Sequence, residues 1–212
     1  MSNDFTSDAG ARRGYHHGNL KEALIAAALE LIRDRGAAGF TFAEAARHAG
    51  VSAAAPYRHY RDRDTLLADV ARRGFERFSE RLAAAWRNGE PTPMQGLLRA
   101  GRAYLDFARN EPAYYAAMFE AGISLAAFPE TRTAGDHAFA VLRTCCEGVI
   151  ATIPAPRRPP AMMVALHVWS TAHGVASLFA RGDTSRRPLP MPAEDLLEAG
   201  VLIYCDGLGV PR

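Results

Sequence analysis

The stretch from Thr41 to Arg63 constrains this chain more than any other. It reads Thr-Phe-Ala-Glu-Ala-Ala-Arg-His-Ala-Gly-Val-Ser-Ala-Ala-Ala-Pro-Tyr-Arg-His-Tyr-Arg-Asp-Arg, which predicts two short helices joined by a tight turn. Thr41 suits an N-cap, Glu44 follows three residues later to close a capping box, and Ala45, Ala46 and Ala49 form the buried face. Gly50 sits just past the last helical residue, where a left-handed backbone is wanted and glycine adopts it at least cost. Val51 anchors the turn in the core, and Ser52 is placed to cap the second helix. Two short helices about a glycine-containing turn make the helix-turn-helix pattern, whose second helix enters a DNA major groove.

The second helix carries groups that hydrogen-bond to phosphate: Tyr57, Arg58, His59 and, beyond it, Arg63. Pro56 lies at the limit of what a first helical turn tolerates when Ser52 is the cap, so a short or slightly distorted helix is expected there. Tyr60 is expected beneath the helix, in the core.

The run from Leu20 to about Asp69 resembles the DNA-binding domain of the tetracycline-repressor family of bacterial regulators. The resemblance rests on Thr41, Ala49-Gly50-Val51-Ser52, Tyr57-Arg58-His59-Tyr60, Arg63 and Leu66-Leu67. The lead-in Gly14-Tyr15-His16-His17-Gly18-Asn19-Leu20 is similar to one branch of that family, and Trp169 with His173-Gly174 resembles the C-terminal domain of the same branch. Arg63 stands where the family usually has Lys; a guanidinium reaches phosphate with a planar fork instead of a point charge.

The resemblance implies a homodimer on a palindromic operator, two recognition helices in successive major grooves, and release by a small molecule. It implies phosphate contacts for Thr41, Tyr57, His59 and Arg63, with Ser52, Ala53, Ala54, Ala55 and Arg58 nearest the groove. The three alanines offer only methyl groups, which pack on thymine but cannot read guanine. Base reading therefore falls to Arg58, or to thymine contacts, DNA shape and an arm around Arg12 and Arg13 in a minor groove.

The rest of the chain reads as all-α, about nine helices: the N-terminal helix-turn-helix domain and a C-terminal ligand-binding and dimerisation bundle. Residues 1–13 are expected as a disordered arm, 14–63 as the DNA-binding domain, and 64–212 as the second domain. Helices are predicted over Leu20–Arg35, about Asp64–Asn88, Pro93–Arg109, Pro112 to Met118 or Phe119, Glu130 to about Ile153, Ala161–Arg181 and Ala193 to about Gly207. The segment 182–192, rich in proline and arginine, separates the last two.

Aromatic and methionine side chains concentrate in this half, and an apolar pocket with a few polar groups is the usual form of a small-molecule site. Tyr104, Phe107, Tyr115, Met118, Trp169 and His173 are the candidate lining residues for a mostly apolar effector of unknown identity. The competing reading for each is ordinary core. Dimerisation is assigned to the last two helices, with Leu197, Gly200, Val201, Tyr204 and Leu208 as a stripe at helical spacing that Leu196 and Ile203 widen. The alternative reading keeps DNA binding but uses the second half only for dimerisation or a protein partner.

Composition narrows the classes further. Hydrophobic residues make up 49% and charged residues 23% of 212, ordinary for a globular protein. No 18-residue apolar run is apparent, and the acidic N-terminus is unlike a signal peptide, so a cytoplasmic protein without a membrane span is expected. Residues 1–73 hold 11 Lys/Arg against 9 Asp/Glu and residues 74–212 hold 14 of each, so the excess of +2 lies in the first third. Cys145, Cys146 and Cys205 match no zinc spacing and no disulfide framework, and are expected as buried small hydrophobes. Neither metal nor cofactor is implied. An enzyme is disfavoured because no general base neighbours the vicinal cysteines and no phosphate loop follows a strand.

Overall fold

The computed structural model describes residues 20–180 and 190–211. The expected arm with Arg12 and Arg13, the lead-in to residue 19 and most of the 182–192 connector lie outside the described residues. Within them the chain is helical and contains no strand. The α-helices are α1 (Leu20–Arg35), α2 (Phe42–His48), α3 (Arg63–Trp86), α4 (Pro93–Asn110), α5 (Pro112–Phe119), α6 (Pro129–Ile150), α7 (Ala161–Ala180) and α8 (Ala193–Gly207). Short 3-10 turns at Ala55–Arg58, Arg87–Gly89, Leu125–Ala127 and Ala155–Arg157 complete the described elements.

Local chemistry sets most boundaries. Gly36 (φ +78°) ends α1 and Gly50 (φ +73°) ends the turn after α2, both in the left-handed region that favours glycine. Thr41 caps α2 in a full capping box: its hydroxyl accepts from the Glu44 N–H at 3.2 Å, and the Thr41 N–H donates to the Glu44 carboxylate at 2.7 Å. Asp62 caps α3 by accepting from the Thr65 N–H at 2.9 Å and its hydroxyl at 2.7 Å.

The long helix α3 is the axis of the molecule. It packs against α1, α4, α5 and α6, and its buried positions run from Leu66 to Trp86. Its C-terminal carbonyls, which lack helical partners, are met by Arg99. The guanidinium donates to Ala85 O at 3.0 Å and Trp86 O at 3.3 Å, and also to Glu90 O. Trp86 itself lies in a bed of glycines. A Cβ at Gly96 would stand 2.6 Å from its ring, and one at Gly148 would stand 2.8 Å away.

α7 departs from the sequence expectation. Over Ala161–Phe179 it is long and apolar enough, by length and composition, to cross a bilayer, with mean hydropathy 1.2. Scattered Ser170, Thr171 and His173 interrupt the apolar run, yet the average survives them. Val164, Ala165, Val168 and Ala172 are buried as the helix packs on α4, α6 and α8, while Met162, Met163, Leu166 and Leu178 are exposed. Cys145, Cys146 and Cys205 are buried. Burial pushes the first two thiols up to about 12 and the third to about 11, so none is an appreciable thiolate near neutrality.

The Trp86 bed makes a stability prediction. Gly96→Ala forces a carbon into the indole, and overpacking of this kind costs about 1–3 kcal/mol. Chemical denaturation of the variant should show a loss in that range; a neutral result would mean that the indole moves aside without cost.

Candidate functional site

Two regions carry the functional candidates: the head built from α1, α2 and the Ala55–Arg58 turn, and the bundle around α3, α4, α6 and α7.

In the head, the second helix of the expected pair is a 3-10 turn of four residues. Ser52 does not cap it; the residue at that position is Ala54, with no side-chain hydrogen bond, and Ser52 contributes only its carbonyl, accepting from the Ala55 N–H at 3.0 Å. Pro56 sits inside the turn and is buried. Its ring removes a donor and crowds the preceding carbonyl, so the tighter turn replaces an α-helix. Ser52, Ala53, Ala54, Tyr57, Arg58 and His59 form one exposed band, with Ala55 half-buried. Tyr57 is 64% exposed and is steadied edge-on by Phe42 at 5.1 Å between ring centroids. Thr41, which precedes Phe42 in the chain, is exposed.

Arg63 is placed differently from a phosphate contact. Its Nε donates to Phe40 O at 2.8 Å, Nη2 donates to Ala37 O, and the guanidinium lies 5.0 Å from the Phe40 ring. These carbonyls belong to the α1–α2 turn, so Arg63 braces that turn against α3. Arg61 is the more exposed cation at this corner, 83% accessible. It pairs with the neighbouring Asp62 at 2.8 Å, and such a surface pair contributes little.

The head is fastened to α3 through Asp69, a residue the sequence did not single out. Tyr60 donates its hydroxyl to the carboxylate at 2.7 Å, Arg72 reaches it at 2.6 Å and Lys21 at 3.0 Å. Burial works to raise the Asp69 carboxyl, but the hydrogen bonds from Tyr60, Arg72 and Lys21 outweigh it and hold the group at about 2. Burial foremost, then Asp69, lifts the Tyr60 hydroxyl well above the ordinary phenol value. Beside this cluster Arg73 makes a two-pronged contact with Glu22 of α1, at 2.6 and 2.5 Å.

In the bundle a cavity of about 340 Å³ opens between α3, α6 and α7. Of the six expected lining residues, Tyr104, Met118 and Trp169 face it. Phe107 does not; it is fully buried and packs on Phe78 at 5.1 Å. Tyr115 and His173 stand behind the wall. The Tyr104 and Tyr115 hydroxyls lie 3.0 and 2.8 Å from the same nitrogen, His173 Nδ1. Burial, the largest influence, pushes the Tyr115 hydroxyl up to about 12 and Tyr104 further in the same direction.

Sequence reading missed Phe75, Phe78 and Leu82, which line the cavity from α3. Their spacing of three and four residues marks one helical face and was the available signal.

The expected dimer stripe on α8 splits in two. Leu197 and Val201 are buried within this chain and line a crevice against Leu97 and Gly101 of α4, so they are not available to a partner. Gly200, Tyr204 and Leu208 are half-buried, and Tyr204 stacks on His167 at 3.6 Å. The exposed apolar positions of α8 are Leu202 and Ile203, the latter 72% accessible.

Comparison with known proteins agrees with this architecture. The family model "Bacterial regulatory proteins, tetR family" matches residues 24–70, and "Tetracyclin repressor-like, C-terminal domain" matches residues 97–203. The chain belongs to the tetracycline-repressor family of DNA-binding transcriptional regulators. A protein of unknown function from Rhodococcus sp. RHA1 is 29% identical, with a TM-score of 0.75 over 92% of this chain and 98% of that one. FadR from Bacillus subtilis, solved in complex with stearoyl-CoA, is 14% identical, with a TM-score of 0.70 over 88% and 98%. PfmR from Thermus thermophilus, a TetR family regulator, is 20% identical, with a TM-score of 0.61 over 89% and 99%. At these identities the last two likenesses show the fold. No curated protein matches the chain.

Asp69 sets the acid behaviour of the head. Its carboxyl is held below the unfolded value, so its stabilisation is complete above about pH 4 and is lost as pH falls toward 2. Asp69→Ala takes the acceptor from the buried Tyr60 hydroxyl, while Arg72 keeps Glu76 and Lys21 keeps water, and should cost about 1–3 kcal/mol. Amide exchange in α1 and α2 reads this out, and protection equal to the parent's would remove Asp69 from the fastening.

Proposed function

We propose that this protein is a ligand-released repressor that binds a palindromic operator as a homodimer in the cytoplasm. One observation carries the reading. α3 holds the head through Asp69 and lines the cavity with Phe75, Phe78 and Leu82. A ligand between α3, α6 and α7 therefore acts on the same helix that positions the DNA-reading band. Phe75 lies six residues beyond Asp69, about 9 Å along the axis. FadR from Bacillus subtilis, solved in complex with stearoyl-CoA, supports a small-molecule role for this fold.

On DNA, Tyr57, His59 and Thr41 are assigned to phosphate, joined by Arg61 in place of Arg63. Ser52, Ala53, Ala54 and Arg58 face the bases, with Ala55 at the edge of the band. Phosphate contacts release counterions and make affinity fall with salt by about 0.9 logarithmic unit per contact. Arg61→Ala removes one contact from each subunit, so the slope for a dimer should drop by about two units with stability unchanged. Arg63→Ala should instead lower stability, because it unties the α1–α2 turn. Selection from a random DNA pool, followed by titration at several salt concentrations, tests the assignment. Failure to enrich a palindrome at low salt removes the operator reading.

The dimer is assigned to the outward faces of α7 and α8. A helix apolar on all sides is buried on all sides, and within one chain α7 leaves Met163, Leu166 and Leu178 uncovered. With Ile203 of α8 these make a surface suited to a two-fold contact. Ile203→Glu should yield a folded monomer in light scattering at micromolar concentration, whereas Val201→Glu should unfold the chain. A dimeric Ile203→Glu protein would place the interface on another face.

A further inference from the structure

The cavity between α3, α6 and α7 carries a charge preference as well as an apolar lining. Six rings surround it in three edge-to-face pairs: Phe75 with Phe119 at 5.7 Å, Phe78 with Tyr104 at 5.0 Å, and Phe139 with Trp169 at 6.0 Å. Among the described lining residues there is no Lys or Arg. The sole charged one is Asp136, whose side chain is 77% exposed and so marks the mouth. Arg132 approaches it only to 3.9 Å and is itself exposed, a pairing that water screens.

An anionic ligand would enter this space at a loss. It would leave water without meeting a cation, and an unpaired buried charge is strongly disfavoured. The donors in the wall, the Tyr104 hydroxyl and the Trp169 N–H, are neutral, and a neutral donor compensates a buried charge less than a cation would. A cation meets the opposite situation. The face of an aromatic ring carries negative potential and attracts ammonium groups, with Trp the best of the rings. Phe139 follows Asp136 by one turn on α6 and therefore lies on the same face, and Trp169 packs against Phe139. Carboxylate and ring faces thus converge at the mouth.

Volume sets the size of the guest. A dry cavity of about 150 Å³ holds one benzene ring, so 340 Å³ has room for a body of two fused rings. We propose that the effector is an aromatic organic cation, with a two-ring body among Phe75, Phe78 and Tyr104 and a quaternary or protonated amine at the mouth formed by Asp136, Phe139 and Trp169. This rests on the reading of the cavity as the effector site.

Three probes sharing a 2-naphthylmethyl body test it by calorimetry on the full chain: (2-naphthylmethyl)trimethylammonium, its neutral isostere with carbon in place of nitrogen, and the anionic 2-naphthylacetate. The cation should bind about tenfold more tightly than the isostere, the scale of a partly desolvated cation–ring contact, and the acetate should not bind up to about 1 mM. Asp136→Asn, an exposed change that leaves the fold alone, should weaken the cation about twofold to fivefold, the scale of an exposed ion pair, and leave the isostere unchanged. Equal or tighter binding of the neutral isostere or the acetate overturns the charge preference while keeping the cavity as a ligand site. An Asp136→Asn variant that binds the cation as the parent does overturns the role given to the mouth. Silence from all three probes overturns the cavity as an effector site together with the preference.

Discussion

The buried end of the Asp69 side chain is the contact on which the head depends. α2 has seven residues and the turn after it four, far below the length at which an isolated helix holds together in water. These pieces persist because they are tied to something longer. Tyr60 brings the turn to Asp69, Lys21 brings α1, and Arg72 comes from α3 itself. Burying a carboxylate is costly, and the geometry offsets that cost only while all its donors are in place. The head is thus held by one group that ties α1, the turn and α3 together, which makes its attachment cooperative.

Much of the fold was legible in the chain because its signals are local. α1 and α8 begin and end where period, proline and glycine put them, at Leu20–Arg35 and Ala193–Gly207. The capping box of α2 could be read from Thr41 and Glu44 alone. Pro56 was read as a distortion and proved stronger, since without a cap from Ser52 nothing compensates for the donor its ring removes. Arg63 was not legible. A long side chain at a helix start points wherever acceptors lie, and its acceptors are the carbonyls of Ala37 and Phe40, whose positions follow from the turn between α1 and α2. On α8, periodicity showed an apolar arc wider than one contact needs, but it could not say which edge turns inward. Leu197 and Val201 take the inner edge because α4 presents Gly101 there.

The polar residues of the bundle show a similar division. Trp169 and His173 were read as one lining pair because they share a helix face. They divide the work instead: Trp169 touches the cavity, and His173 holds the tyrosines behind it. Buried polar networks that are well paired fix side-chain positions more firmly than apolar packing does. Tyr104 is therefore a set part of the wall, while Met118 is the adaptable part. Phe75, Phe78 and Leu82 escaped notice because α3 reads as a connector until its face is seen to meet α6.

The bed of glycines around Trp86 has an effect beyond tight packing. An α-helix turns by about 100° with each residue, so a ring clamped at one end sets the azimuth of every side chain along it. Asp69 lies 17 positions earlier, about 4.7 turns, and its bearing toward Tyr60 is fixed by how the indole sits between Gly96 and Gly148. α3 behaves as a shaft keyed at its far end. The packing of one indole at the far end of α3 is thus part of what sets the bearing of the residues that hold the head.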